Sequence, residues 1–275
     1  AHVVIISRSG ENNYKNLDLH GDAAVIVNTT PVGMYPNTGV SPVDLSVFPK
    51  LEGVLDVVYN PARTQILLDA EARGLPCQNG LWMLVAQAKE ASEWFTGKRI
   101  PDTSIEAVYQ KLRLEMENII LIGMPGCGKS TIGKALADRL GKEFVDADTE
   151  LENREGRPIA RIIPDDGEER FRELETEILA HLGKQSGLVI ATGGGCVTRA
   201  ENWPLLRQNG RIIWLKRELN LLPIDGRPLS QANRLEDMYA KREPLYRQLA
   251  DYVIDNNGRE SQIIGRILSI LEGNT

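Results

Sequence analysis

Residues Gly123-Met124-Pro125-Gly126-Cys127-Gly128-Lys129-Ser130 have the spacing G-x-x-x-x-G-K-S, with a strand-like run before them at 118–122 and a helix-like run after them. Chemistry of one kind suits that arrangement. Glycines let successive backbone N–H groups turn inward around an anion, Lys129 reaches the terminal phosphate oxygens, and the Ser130 hydroxyl can ligate Mg²⁺. The helix that follows adds the positive end of its dipole. The reading is a nucleoside-triphosphate site built from Gly123, Gly126, Cys127, Gly128, Lys129, Ser130 and Thr131.

Further along the same half, other residues have the types and spacing to handle an acceptor. Asp146 and Asp148 are separated by one residue at the end of a short strand-like run, and a strand's period of two aims both at one edge of a sheet. One carboxylate can then serve a magnesium-bound water while the other accepts a hydrogen bond from an incoming hydroxyl. A solvated strand end or a helix cap would show the same two residues. Arg172 and Glu175 fall three apart in a helix-like run, where the carboxylate can orient the guanidinium. Gly193, Gly194 and Gly195 follow a buried-looking strand and leave backbone amides open to a ligand, or form a simple tight turn. Arg227 sits in a polar loop, Gly226-Arg227-Pro228-Leu229, able to close over phosphates, and Arg242 lies in the helix-like Lys241-Arg242-Glu243-Pro244-Leu245-Tyr246. An arginine's planar fork matches a carboxylate or a phosphate, although each arginine taken singly also fits plain surface.

The elements that must carry these residues alternate between strand and helix along all 275 residues, which predicts parallel α/β sheets. In the first half strands are expected at 3–6, 23–27 and 54–58, with helices at 64–73 and 81–95. Thr103-Ser104-Ile105-Glu106 reads as a T-x-x-E capping box opening one more helix. In the second half strands are expected at 119–122, 144–145, 188–191, 211–215 and 252–254. Residues 114–117 are a short separator, giving domains 1–115 and 116–275. A net charge of −6 argues against nucleic acid as a standing partner, so an anionic ligand must be held by local arginines. No run approaches the ~20 apolar residues needed to span a bilayer. Cys77, Cys127 and Cys196 show no metal or disulfide spacing, and a reducing cytoplasm fits them. His2, His20 and His181 fall outside every motif.

Taken together and in order, GMPGCGKST, DAD, FRELE, GGG, GRPL and KREPLY closely resemble the shikimate kinase family, over nearly all of residues 118–275. The resemblance implies a P-loop NTPase-type sheet and transfer of a phosphoryl group from ATP, with Mg²⁺, to the 3-hydroxyl of shikimate. It gives Asp148 the ring hydroxyl, Asp146 the metal through water, and Arg172 and Arg242 the substrate carboxylate. Gly193, Gly194 and Gly195 would line the ring pocket, Arg227 would descend with a lid onto the phosphates, and Arg259 would lie along the adenine. The segment between Trp214 and Arg227 is shorter than in many members, so a second nucleotide-side arginine ahead of the lid is expected to be missing. Two rivals are another small-molecule P-loop kinase and a nucleotide-binding regulatory or assembly module.

The first half has its own resemblance. Asn28-Thr29-Thr30-Pro31-Val32-Gly33-Met34, Asp56-Val57-Val58-Tyr59-Asn60-Pro61 and Asn79-Gly80-Leu81-Trp82-Met83-Leu84-Val85-Ala86-Gln87 are similar to the C-terminal, NADP-binding half of shikimate dehydrogenase. That resemblance implies a truncated Rossmann-like unit, with Arg8 near the 2′-phosphate of NADP, Met83 near the nicotinamide, and Tyr59 and Gln87 toward shikimate. No G-x-G-x-x-G turn is present, and the chain opens directly on a strand-like run. The expectation is therefore a piece of a bifunctional dehydrogenase–kinase that binds NADP only as part of an intact dehydrogenase and cannot itself reduce dehydroshikimate. A half sheet with an uncovered face is also expected to favour self-association.

Overall fold

The computed structural model describes residues 2–222 and 232–272. The chain divides into two compact units, Ala1–Arg113 and Leu114–Thr275. In the first, β1 (Val25–Asn28), β2 (Gly53–Asp56) and β3 (Cys77–Gln78) form a parallel sheet in the order β1-β2-β3, with Val25 opposite Gly53 and Val54 opposite Cys77. Helix α1 (Gln65–Ala72) buries Ile66, Leu67 and Ala70 beside Val54, while α2 (Leu81–Thr96) buries Leu81 and Val85. The other face of this sheet leaves Val25, Val27 and Leu55 about half exposed.

Two expectations for this half do not hold. Residues 3–6 form no strand: Val3 and Ile5 are 77% and 78% exposed, and only an isolated bridge joins Ser7 to Asn13. An apolar run becomes a strand only when its N–H and C=O groups find a neighbour, and none of the described residues supplies one. The other concerns the separator, since the helix expected to open at Thr103-Ser104-Ile105-Glu106 does form. Helix α3 (Thr103–Met116) opens on bonds from Ser104 and Ile105 N–H to Pro101 and Asp102 carbonyls, and residues 114–116 are its last turn.

The second unit holds a five-stranded parallel sheet in the order β5-β6-β4-β7-β8. Its elements are β4 (Asn118–Ile122), α4 (Lys129–Leu140), β5 (Glu143–Asp146), α5 (Ala147–Glu155), α6 (Ile159–Asp166), α7 (Glu168–Lys184), β6 (Leu188–Ala191), α8 (Asn202–Arg207), β7 (Gly210–Lys216), α9 (Ala232–Leu249), β8 (Tyr252–Asp255) and α10 (Glu260–Leu271). All five strands fall where alternation in the sequence put them. β4 is central and buried on both faces; Ile119, Ile120, Leu121 and Ile122 are each 0% exposed, at about 2 kcal/mol of apolar burial apiece. Because the chain runs from β4 out to the edge strand β5 and returns through β6, the order reverses beside β4. Loops leaving β4 and β6 therefore diverge around a crevice at the carboxyl end of the sheet, the usual ligand position in such folds. No helix among the described residues is long and apolar enough to cross a membrane.

Glycine is used for close approach where α7 meets α8: a β-carbon on Gly183 would stand 2.1 Å from the Leu205 carbonyl oxygen. Gly265, inside α10, would place a β-carbon in open space. In thermal melts Gly183→Ala is expected to lose about 2 kcal/mol, whereas Gly265→Ala should gain roughly 0.5–1 kcal/mol through helix propensity. Equal effects at the two positions would contradict this packing.

Candidate active site

The turn after β4 depends on backbone shapes that side chains avoid. Gly123, Gly126 and Gly128 have φ of +144°, +79° and +96°, and a β-carbon on Gly123 would stand 2.6 Å from the Leu215 carbonyl oxygen. Cys127 is buried inside the turn, and Gly128 opens α4. Lys129, only 8% exposed, folds over its own loop and donates to the carbonyls of Gly123 at 3.0 Å and Met124 at 3.1 Å. Ser130 and Thr131 stand exposed on the first turn of α4, and Ser130 Oγ donates to Asp146 Oδ2 at 2.5 Å.

The two aspartates are positioned differently from the strand-period expectation. β5 ends at Asp146, whose Oδ1 accepts from the N–H groups of Asp148 and Thr149 and so caps α5; Asp148 is in the first turn of that helix. A change from strand to helix falls between them, so the period of two never applies. Asp146 is a helix cap and the partner of Ser130 at once. Asp148 keeps access to solvent but is ringed by protein, and this burial is the main cause that pushes its pKa up to about 6. The charges of Asp146 and Glu175 act in the same direction, and Lys129 opposes them.

Gly193, Gly194 and Gly195 follow β6, next to the phosphate loop in the sheet. Thr192 pins this turn to β4 through N–H and Oγ1 bonds, both 3.1 Å, to the Leu121 carbonyl. Each glycine then meets a different neighbour at a distance that excludes a β-carbon. At Gly193 such a carbon would lie 2.5 Å from Glu175 Oε1 and 2.7 Å from Asp148 Oδ1; at Gly194, 2.6 Å from Pro125 of the phosphate loop; at Gly195, 2.2 Å from Arg172 Nη1. Arg172 Nη1 donates to Glu175 Oε2 at 2.8 Å and Nη2 to Glu168 at 3.2 Å, with the guanidinium 5.0 Å from the centre of the Phe171 ring. Glu175 is 3% exposed, and its Oε1 has no hydrogen-bond partner. From α9, Arg242 Nη1 and Tyr246 Oη both donate to the Gly194 carbonyl, at 3.2 and 2.5 Å.

Asp146, Asp148, Arg172, Arg242, the three glycines and the phosphate loop are thus gathered at one end of the sheet. Arg227 lies outside the described residues. Arg259 is exposed at the start of α10, and among the described residues no hydrogen bond ties its side chain to the phosphate loop. Asn256, unremarked in the sequence, does so instead by donating to the Cys127 carbonyl. Tyr246 and Pro125 also escaped notice in their roles, since a buried tyrosine and a loop proline carry no sign in sequence of the glycine turn that they touch. In the first unit a hollow of about 560 Å³ is lined by Met83 and Trp82 among others, but not by Tyr59 or Gln87. Arg8 is exposed.

Residues 125–272 match the family model described as shikimate kinase. The chain belongs to the shikimate kinase family. A shikimate kinase of Pseudomonas savastanoi pv. phaseolicola is 42% identical over 165 residues, spanning 57% of this chain and 95% of its own length. One from Synechococcus sp. is 44% identical over 173 residues, 58% and 87% of the two lengths. Among solved structures, shikimate kinase from Acinetobacter baumannii in complex with shikimate is 37% identical, with a TM-score of 0.56 over 60% of this chain and 98% of that one. Residues 80–113 match the model of the shikimate 5′-dehydrogenase C-terminal domain. A shikimate kinase domain, which uses ATP, is therefore joined in this chain to a dehydrogenase-type segment.

The raised pKa of Asp148 has a consequence for stability. Its folded value, about 6, lies above the ordinary 3.8, so between those values the folded state binds more protons than the unfolded one, and stability falls as pH rises through that window. Asp148→Asn removes the charge that burial penalises. With solvent screening discounted, the variant is expected to be more stable than the parent by about 1 kcal/mol at pH 7.5 in EDTA. That advantage should vanish below about pH 4. A variant less stable at pH 7.5 than the parent would contradict the unfavourable setting of this charge.

Proposed function

We propose that the kinase domain, residues 116–275, passes the ATP γ-phosphoryl group to the 3-hydroxyl of shikimate directly across the crevice between the β4 and β6 loops. The observation that carries this reading is the contact of Gly194 with Pro125, which leaves no room for a β-carbon between the acceptor turn and the phosphate loop. A short gap is what in-line transfer needs, since such chemistry is mostly positioning and charge stabilisation.

On the acceptor side, Asp148 in its ionised form accepts the hydrogen bond of the attacking hydroxyl and takes its proton as the new O–P bond forms and the bond from the γ-phosphorus to the bridging oxygen breaks, releasing ADP. Its raised pKa suits a group that must hold that proton transiently. Arg172, its fork oriented by Glu175, and Arg242 from α9 bind the shikimate carboxylate, with the glycine backbone lining the ring. On the donor side, Lys129 leaves the Gly123 and Met124 carbonyls for the β/γ-phosphate oxygens, while the N–H groups of the turn and the start of α4 hold the remainder. Arg227 would add positive charge to the transferring group.

Mg²⁺ fits the donor set at Ser130 and Asp146. Their oxygens are hard and already adjacent, and no cluster of three or more acidic, histidine or cysteine groups among the described residues offers a complete protein cage. That suits an ion which keeps several waters and shares substrate phosphates. Bound there, it would neutralise charge on the phosphates. For the first unit, NADP is proposed only as a ligand of an intact dehydrogenase, on the match at residues 80–113.

A coupled assay on the purified chain should show ADP release that requires both Mg-ATP and shikimate. Asp148→Asn is expected to lose at least about 10²-fold in kcat while remaining folded. Arg172→Lys should raise the KM for shikimate about tenfold or more and leave that for ATP nearly unchanged, because a point charge does not reproduce the fork. Retention of most activity in Asp148→Asn would remove the base from this mechanism, and equal effects of Arg172→Lys on both substrates would remove the carboxylate clamp.

A further inference from the structure

Where β7 and β8 end, the chain is stitched together beside the phosphate loop. Asn256 N–H donates to the Lys216 carbonyl at 2.7 Å, Glu218 N–H donates to Asn257 Oδ1 at 3.0 Å, and the Asn257 amide reaches back to Glu218 Oε1 at 3.4 Å. Asn256 also holds the Cys127 carbonyl. Arg217 is enclosed by this knot. Its Nη1 lies 3.8 Å from the point where a β-carbon on Gly128 would stand, immediately ahead of Lys129 and the first turn of α4.

The guanidinium is half-buried, its Nε is fully buried without a hydrogen-bond partner, and among the described residues no carboxylate forms an ion pair with it. The nearest acid in sequence, Glu218, is occupied by Asn257. A buried, unsatisfied N–H on a permanently charged group costs stability unless a ligand supplies the acceptor. Lys216, next to it, faces elsewhere, with its ammonium 5.7 Å from the centre of the Trp214 ring. Among the described residues Arg217 thus presents a guanidinium with no carboxylate partner beside the glycine that opens the phosphate-binding helix, on the side of the loop after β8.

We infer that Arg217 is a nucleotide-binding residue serving the part of the nucleotide that ATP and ADP share. The inference rests on the kinase reading of the same crevice. An arginine placed there contributes equally to ATP and ADP, and nothing to the acceptor.

The test is calorimetric titration of the full chain with Mg-ADP, without shikimate, beside steady-state kinetics. Arg217→Met, which keeps the apolar stem, is expected to weaken ADP binding about tenfold. It should raise the KM for ATP by a similar factor, with the shikimate KM unchanged and kcat at saturating ATP within about threefold. Arg217→Lys, which preserves the charge, should recover part of the affinity and guards against a variant that fails to fold. Unchanged ADP affinity in a folded variant, a loss confined to ATP, or an equal loss for shikimate would each overturn the assignment. The kinase reading fails separately, if the parent chain releases no ADP in response to shikimate.

Discussion

On the acceptor side of the crevice, three elements approach the backbone of residues 193–195 more closely than a β-carbon allows. Glu175 and Asp148 crowd Gly193, Pro125 crowds Gly194, and the Arg172 guanidinium crowds Gly195. This turn is where α5, α7, α9 and the phosphate loop meet, and Thr192 holds it to the central strand. Its lack of side chains lets these elements close in, and in the proposed reaction it sets the width of the gap between donor and acceptor. Everything else at the site depends on that width, because phosphoryl transfer tolerates little misplacement.

The electrostatics follow from the same crowding. Asp146, Asp148 and Glu175 bring three carboxylates near one turn, and two of them have a distinct restraint. Asp146 is neutralised locally by helix N–H groups and the Ser130 hydroxyl, and Glu175 by the Arg172 fork. Among the described residues Asp148 has no comparable partner, and burial, with the charges of Asp146 and Glu175, pushes its pKa up to about 6. A carboxylate whose charged form burial disfavours costs stability, as groups at functional sites tend to do.

Much of this was legible in the sequence. The phosphate loop declares itself because its glycines, lysine and serine are required at fixed spacing, and the five strands of the second unit declare themselves because buried parallel strands read as continuous apolar runs. The run at residues 3–6 looks the same in sequence and forms no strand, since pairing depends on a neighbour and not on the run itself. Asp146 and Asp148 show a subtler limit: their place at the end of a strand was readable, but their geometry was not, because the change from strand to helix falls between them. Asn256, Tyr246 and Arg217 were illegible in their roles. Each acts through a contact with backbone or glycine distant in the chain, and spacing in sequence encodes no such contact.

The central claim is that the two grips face each other across the Gly194–Pro125 contact, and the most direct measurement is a crystal structure of the chain with ADP, Mg²⁺ and shikimate bound together. The account requires the 3-hydroxyl of shikimate within hydrogen-bond distance of Asp148, its carboxylate on Arg172 and Arg242, and the β-phosphate in the turn ahead of Lys129. Shikimate bound with its carboxylate away from both arginines, or with its ring hydroxyls turned from the nucleotide, would contradict it.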